Sequence, residues 1–252
     1  MEAINNGWAN PGKTSFSDLQ SIIKLRTDRV RGCSLFSDMP DEDCARVVAA
    51  AHERTYPRSK AIFFEGDPVR QIVLLISGCV KLSQSGNEGQ EVILRLAGPG
   101  EILCGECFPR FNHCSTARTM TPSTALVWEA NQFLAVAERF PTLRRNMSCV
   151  LTHTINQLEV RFREICTERV APRLSSQLVR LVSQVGRPLD GYVEIDLSRR
   201  DLAQLTGTTL FTVSRLLSQW EEQGIVKPHR QGVLVLNVPA LEDLSRSSGD
   251  EV

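Results

Sequence analysis

Apolar positions change period several times along the chain. From Phe16 through Ile22, Ile23 and Leu25 they recur at helical spacing. A second helix is predicted to open at Pro40. Asp41, Glu42 and Asp43 suit its positive end, and Cys44, Val47, Val48 and Ala51 follow on one face. From Tyr56 to Glu129 the pattern turns to short β-rich runs: Ala61–Phe64, Ile72–Ile76, Val80–Ser83, Glu91–Leu96, Glu101–Cys104 and Ala125–Trp128. Glu65-Gly66-Asp67-Pro68, Ser77-Gly78, Ser85-Gly86-Asn87-Glu88-Gly89 and Gly98-Pro99-Gly100 punctuate them. Short strands separated by such turns predict an all-β sandwich or roll.

Helical spacing returns at Asn131–Arg139, and Pro141 opens a long helix reaching to about Arg169. Met147, Leu151, Ile155, Leu158, Phe162 and Ile165 step by four, four, three, four and three. This is a heptad-like seam. It outruns what one small roll can cover, which favours a parallel homodimer over packing within the chain. Pro172 is expected to break the helix, with a domain boundary near 168–172. Leu174, Leu178, Leu181 and Val182 then line one face of a helix over 173–185, and Gly186-Arg187-Pro188 ends it. Tyr192–Leu197 alternates as a strand.

The next stretch carries the strongest local signal. Ser198-Arg199-Arg200-Asp201 reads as a capping box ahead of a short helix with Leu202, Ala203 and Leu205 inward. Gly207 supplies a tight turn, and Thr208 or Thr209 caps a second helix from Leu210 to Gln223, with Gly224 as terminator. Two short helices about a glycine turn form a helix-turn-helix. Val213, Leu216, Leu217 and Trp220 bury the second helix, leaving Phe211, Thr212, Ser214, Arg215 and Gln219 for a partner. Early residues of such a helix reach base edges in the major groove. Ile225-Val226 and Val233–Leu236 form a wing, with Lys227, His229 and Arg230 between them, near the path of the DNA backbone. The expected DNA-contacting set is Arg199, Thr208, Thr209, Leu210, Phe211, Thr212, Ser214, Arg215, Gln219, Lys227 and Arg230.

Composition adjusts this picture only slightly. The 252 residues carry 29 basic and 29 acidic side chains. Zero net charge counts mildly against nucleic acid, but a dimer needs only a local basic stripe. No apolar run approaches the ~18 residues of a membrane span. Residues 1–17 read as a polar, disordered arm without the apolar stretch of a signal peptide, so the cytoplasm is the expected compartment. Walker A, GxSxG and HExxH patterns are absent, so a non-enzymatic protein is expected.

Several segments together resemble the CRP/FNR superfamily of bacterial transcription regulators. They are Leu35-Phe36-Ser37, Phe64–Pro68, Leu75–Leu82, Gly98–Glu101, Gly105-Glu106, Thr116–Thr121, Leu202–Gly207 and Thr212–Leu217. The resemblance implies an α+β chain: an N-terminal cyclic-nucleotide-binding-type β-roll (jelly roll), a long dimerisation helix and a C-terminal winged helix-turn-helix. The expected limits are an arm and helix at 1–32, the roll at 33–140, the dimer helix at 141–168, the DNA-binding domain at 169–240 and a tail at 241–252. The resemblance further implies a palindromic site in double-stranded promoter DNA and contacts with RNA polymerase. Family members carry Glu one residue before the position of Thr212, where this chain has Phe211; Ser214-Arg215 keeps the pattern of the FNR branch.

The effector is less legible. In cyclic-AMP-binding relatives an Arg-Ser pair after Gly-Glu clamps the cyclic phosphate. Here those places fall on His113 and Cys114, and the purine-facing helix positions fall on Leu158 and Glu159. Gly105, Glu106, His113, Cys114, Leu158 and Glu159 are thus the expected effector pocket. Without an Arg fork cyclic AMP is disfavoured. Cys104, Cys107 and Cys114, with His113, instead offer a set for zinc, haem, an iron–sulfur cluster or thiol redox chemistry. Packing residues with no cofactor are the other reading, for the chain has eight cysteines and Cys is a common buried side chain. Cys149 and Cys166 are expected to pack.

Overall fold

The computed structural model describes residues 16–103 and 111–246. Helix α1 (Phe16–Val30), a 3-10 turn (Ser34–Phe36) and α2 (Asp41–Ala49) precede the β region. There, β1 (His52–Tyr56), β2 (Ala61–Phe63), β3 (Gln71–Ser77), β4 (Val80–Ser85), β5 (Glu91–Ala97), β6 (Thr116–Thr119) and β7 (Ser123–Glu129) make two antiparallel sheets, ordered β1-β7-β3 and β2-β6-β4-β5. Most of their buried residues, with those of α1, α2 and α3 (Ala130–Arg139), form an apolar core around Leu74, Leu126, Trp128 and Phe133. Trp128 donates its indole N–H to the carbonyl of Val47 at 2.8 Å and meets Phe133 edge-on at 5.4 Å. This satisfies the one polar atom of a fully buried ring. Gly78 opens β4 with φ 93°, and a Cβ there would lie 2.3 Å from Ser123 Oγ. Only glycine fits that turn.

Two strands escaped the hydrophobic pattern. Strand β1 (HERTY) is largely exposed, and β6 is four residues long. The strand expected at 101–104 is replaced by an isolated bridge from Ile102 to Leu74. The turn into it passes through Gly100 at φ 86°, and Cys104 lies outside the described residues.

Helix α4 spans Pro141–Thr167. Its first turns pack on the 3-10 segment, where the buried Asn146 donates to the carbonyls of Leu35 (3.0 Å) and Ser37 (2.7 Å). Leu143 and Met147 are buried there, whereas Ile155, Leu158, Phe162 and Ile165 stand exposed, Phe162 at 70%. Cys149 and Cys166 are exposed, not packed as expected, because they fall outside the buried stripe of the helix. The helix ends at Thr167, capped by Glu168, and α5 (Val170–Gln184) starts before Pro172, not after it. Proline fits because the first turn of a helix needs no N–H donor there.

The C-terminal part contains β8 (Arg187–Leu189), β9 (Tyr192–Ile195), α6 (Arg199–Thr206), α7 (Leu210–Glu222), β10 (Val226–Pro228), β11 (Val233–Val235) and α8 (Val238–Arg246). The wing is one edge of a four-stranded antiparallel sheet, β10-β11-β9-β8. Helix α8 runs across the limit expected at 240. Leu241 is buried and its carbonyl accepts from Ser175 Oγ at 2.5 Å, so residues 241–246 belong to the domain and not to a tail.

The two halves share apolar contacts. Cys79, Ile93 and Leu96 of the roll join Leu174, Leu178, Leu181, Leu202 and Leu205 in a second core. Gln184 Nε2 donates to the carbonyl of Leu96 (2.7 Å) and to Glu101 Oε1 (2.9 Å). Arg161 on α4 donates to the carbonyls of Leu94 in β5 and Leu205 in α6. Among the described residues no helix is long and apolar enough to cross a membrane.

Candidate nucleic-acid interface

The capping box forms in full. Ser198 Oγ accepts from Asp201 N–H at 3.2 Å, and Asp201 Oδ2 accepts from Ser198 N–H at 3.1 Å. Gly207 takes the left-handed conformation (φ 61°) that turns α6 into α7. Of the two candidate caps, Thr209 is the one used: its Oγ accepts from Thr212 N–H at 3.1 Å. Val213, Leu216, Leu217 and Trp220 then anchor α7 in the second core. This orients the opposite face outward.

That face carries the expected residues. Thr209, Leu210, Phe211, Arg215 and Gln219 are exposed, and Thr208, Thr212 and Ser214 are half-buried beside them. Arg199, Lys227 and Arg230 are exposed at the start of α6 and on the wing. Among the described residues, none of Arg199, Arg215, Lys227 and Arg230 forms an ion pair. Arginines elsewhere commonly do, as in Arg31–Asp41, Arg145–Asp38 and Arg180–Glu164. Uncompensated cations grouped around one helix suit phosphate. Arg200, left out of the expected set, is likewise exposed and, among the described residues, without an ion pair. Its signal was available: two arginines in the first turn oppose the helix dipole, a cost that an external anion relieves.

Residues 172–244 match the family model described as a Crp-like helix-turn-helix domain, and residues 53–140 match that of the cyclic nucleotide-binding domain. A global nitrogen regulator of Synechococcus elongatus is 33% identical over 196 residues, 74% of this chain and 86% of that protein. The chain belongs to the CRP/FNR family. It is a DNA-binding transcription regulator with a cyclic-nucleotide-binding-type domain ahead of its helix-turn-helix. A cyclic AMP receptor protein of Thermus thermophilus is 28% identical over 218 residues, covering 86% of this chain and 98% of that one. A CRP/FNR-family regulator of the same organism, solved by crystallography, shares the fold with a TM-score of 0.69 at 20% identity, over 79% of this chain and all of that one.

Cys104, Gly105, Glu106 and Cys107 lie outside the described residues. His113 is buried, stacked on Phe63 with ring centroids 3.7 Å apart, and it lines a cavity of 610 Å³ together with Asp67, Arg70, Gln71 and Glu129. Its neighbour Cys114 is exposed. Arg118, the next arginine along, donates to the carbonyl of Ser59 at 3.0 Å. Leu158 borders a separate cavity of 340 Å³ between α4, α5 and β5, and Glu159 faces solvent. Among the described residues no three metal-ligating side chains gather. Cys33, Cys44 and Cys79 are buried. Burial pushes the Cys79 thiol up to about 12, with help from the nearby Glu101, Asp196 and Asp201, which keeps it protonated and inert.

Proposed function

We propose that this regulator acts in the cytoplasm as a parallel dimer joined along α4 and binds a palindromic promoter site with α7 in the major groove. Arg215 and Ser214 read bases in this arrangement, while Arg199, Arg200, Lys227 and Arg230 hold phosphates and the bound dimer contacts RNA polymerase. The observation that carries the reading is the outward face of α7, which presents Arg215 with no ion pair among the described residues, on a helix fixed by a cap and a buried underside. The exposed Ile155, Leu158, Phe162 and Ile165 support the dimer, since a seam of this size on one helix asks for an apolar partner. Recovery of preferred duplexes from a random pool, followed by salt-series gel shifts, tests the reading. A selected palindrome whose affinity falls steeply with salt is expected; binding indifferent to sequence would sink it.

We further infer that the effector is not cyclic AMP, although one relative is named a cyclic AMP receptor protein. His113 is stacked on Phe63, Cys114 turns to solvent, and Arg118 serves the backbone of Ser59. With Arg118 engaged, the cavity beside His113 offers a cyclic phosphate only Arg70 among the described residues, alongside the carboxylates of Asp67 and Glu129. Calorimetry with cyclic AMP should register no heat of binding in the micromolar range.

A further inference from the structure

Phe211 is 78% exposed, more than any other large apolar side chain described. It packs against neither apolar core. A solvated phenylalanine does nothing for folding, so its position calls for an external contact. It stands in the first turn of α7, between the capping Thr209 and Arg215, which lies one helical turn further along the same face. Resting on the reading of α7 as the groove-binding helix, we propose that Phe211 sets part of the DNA specificity by packing on the C5-methyl group of a thymine in each half-site.

The chemistry of the groove singles out that base. Base edges there present donors and acceptors, and the one apolar group among them is the thymine methyl. An aromatic ring has nothing to offer guanine O6, cytosine N4 or adenine N6, and burying those groups unpaired against it is costly. Arg215 follows one turn along α7 and Arg199 and Arg200 open α6, all exposed and, among the described residues, none with an ion pair. This makes an anionic duplex a better occupant than an apolar protein surface. Spacing adds a second constraint. Residues 211 and 215 are about 6 Å apart along the helix axis, at ~1.5 Å per residue. Base pairs rise by about 3.4 Å. The thymine met by Phe211 therefore lies within about two base pairs of the base read by Arg215, a guanine by the usual Arg fork.

The test uses the full-length protein and its selected duplex. Each thymine of a half-site is replaced in turn by deoxyuridine, which removes the methyl and keeps every hydrogen-bonding group. For wild type, one such replacement near the Arg215 guanine should weaken binding about fourfold, the factor that burying one methyl group carries. Phe211→Ala should bind thymine and uracil duplexes alike, Phe211→Leu should keep part of the discrimination, and Arg215→Ala should keep the thymine preference while relaxing that for guanine. Circular dichroism on each variant guards against misfolding. Wild-type indifference to every exchange, or discrimination that survives in Phe211→Ala, overturns the proposal while leaving α7 as the DNA-binding helix. If no duplex is preferred over any other at matched salt, the reading of α7 fails first and this inference with it.

Discussion

Arg215 and Cys79 sit at opposite ends of what one side chain contributes. Arg215 is exposed and, among the described residues, holds no ion pair, so removing it breaks no salt bridge there. Arg215→Ala should weaken binding to the selected duplex by about 1–3 kcal/mol at an unchanged melting temperature. A salt-matched gel shift read beside thermal unfolding checks both halves. Cys79 lies in the apolar junction with its thiol held protonated. Reaction with a thiol reagent at mildly alkaline pH should therefore spare it in the native protein and label the exposed Cys114 and Cys149. Peptide mass mapping before and after denaturation decides; rapid native labelling of Cys79 would mean that the junction opens readily.

At the level of elements, α4 bears the proposed dimer seam and the β4–β5 hairpin a titratable carboxylate. Phe162 is exposed within the chain, so Phe162→Arg should leave a folded protomer and abolish the dimer by placing a charge where the partner helix packs. Sedimentation at micromolar concentration reads the outcome, and a dimer that survives the change argues against the α4 seam. In the hairpin, burial pushes the Glu91 carboxyl up. Hydrogen bonds from Lys81 (2.9 Å) and Ser83 (2.7 Å), with the charge of Lys81, outweigh it and hold the group below its ordinary value. A lowered folded-state pKa stabilises above the unfolded value and is lost as pH falls through the folded one. Urea unfolding should thus lose stability below about pH 4.5, and Glu91→Gln should be less stable near neutrality with a flatter acid limb.

How far these elements were legible in the sequence depended on what each one buries. The helices α2, α3 and α4, strands β3, β4, β5 and β7, and the whole of α6–turn–α7 stand out because one face is apolar at a clear period or a cap marks the start. Strand β1 lies at a sheet edge with its residues largely exposed, so His52–Tyr56 shows no alternation. Strand β8 contains Pro188, which an edge strand tolerates. Helix α8 went unread although Val238, Leu241 and Leu244 recur every third residue, for its 9 residues are too short a window to display the period clearly. Which side chains of α7 face outward was readable from helical spacing. Whether His113 and Cys114 share a site was not, since neighbours in sequence can turn to opposite sides.

At the scale of the whole molecule, the DNA-binding half leans on its own sensor. Arg161 ties β5 to α6 through carbonyl oxygens, and burial, then the nearby charge of Arg180, brings its guanidinium down to about 10. Arg161→Ala should therefore loosen the two halves without touching the DNA-facing residues, and limited proteolysis near Glu168 should accelerate. An unchanged cleavage rate would assign the junction's strength to its apolar contacts. Those contacts reach into the interior of the C-terminal half: Ile93 and Leu96 come from the roll, yet they complete the core around Leu178 and Leu202. Calorimetry should accordingly record one cooperative melting transition for the two halves, where independent domains would give two. A fragment beginning at Arg169 would leave that greasy socket open to water and should associate with itself or with the severed roll, so that genetic separation of sensor from reader ends in aggregation rather than in a freely working DNA-binding module.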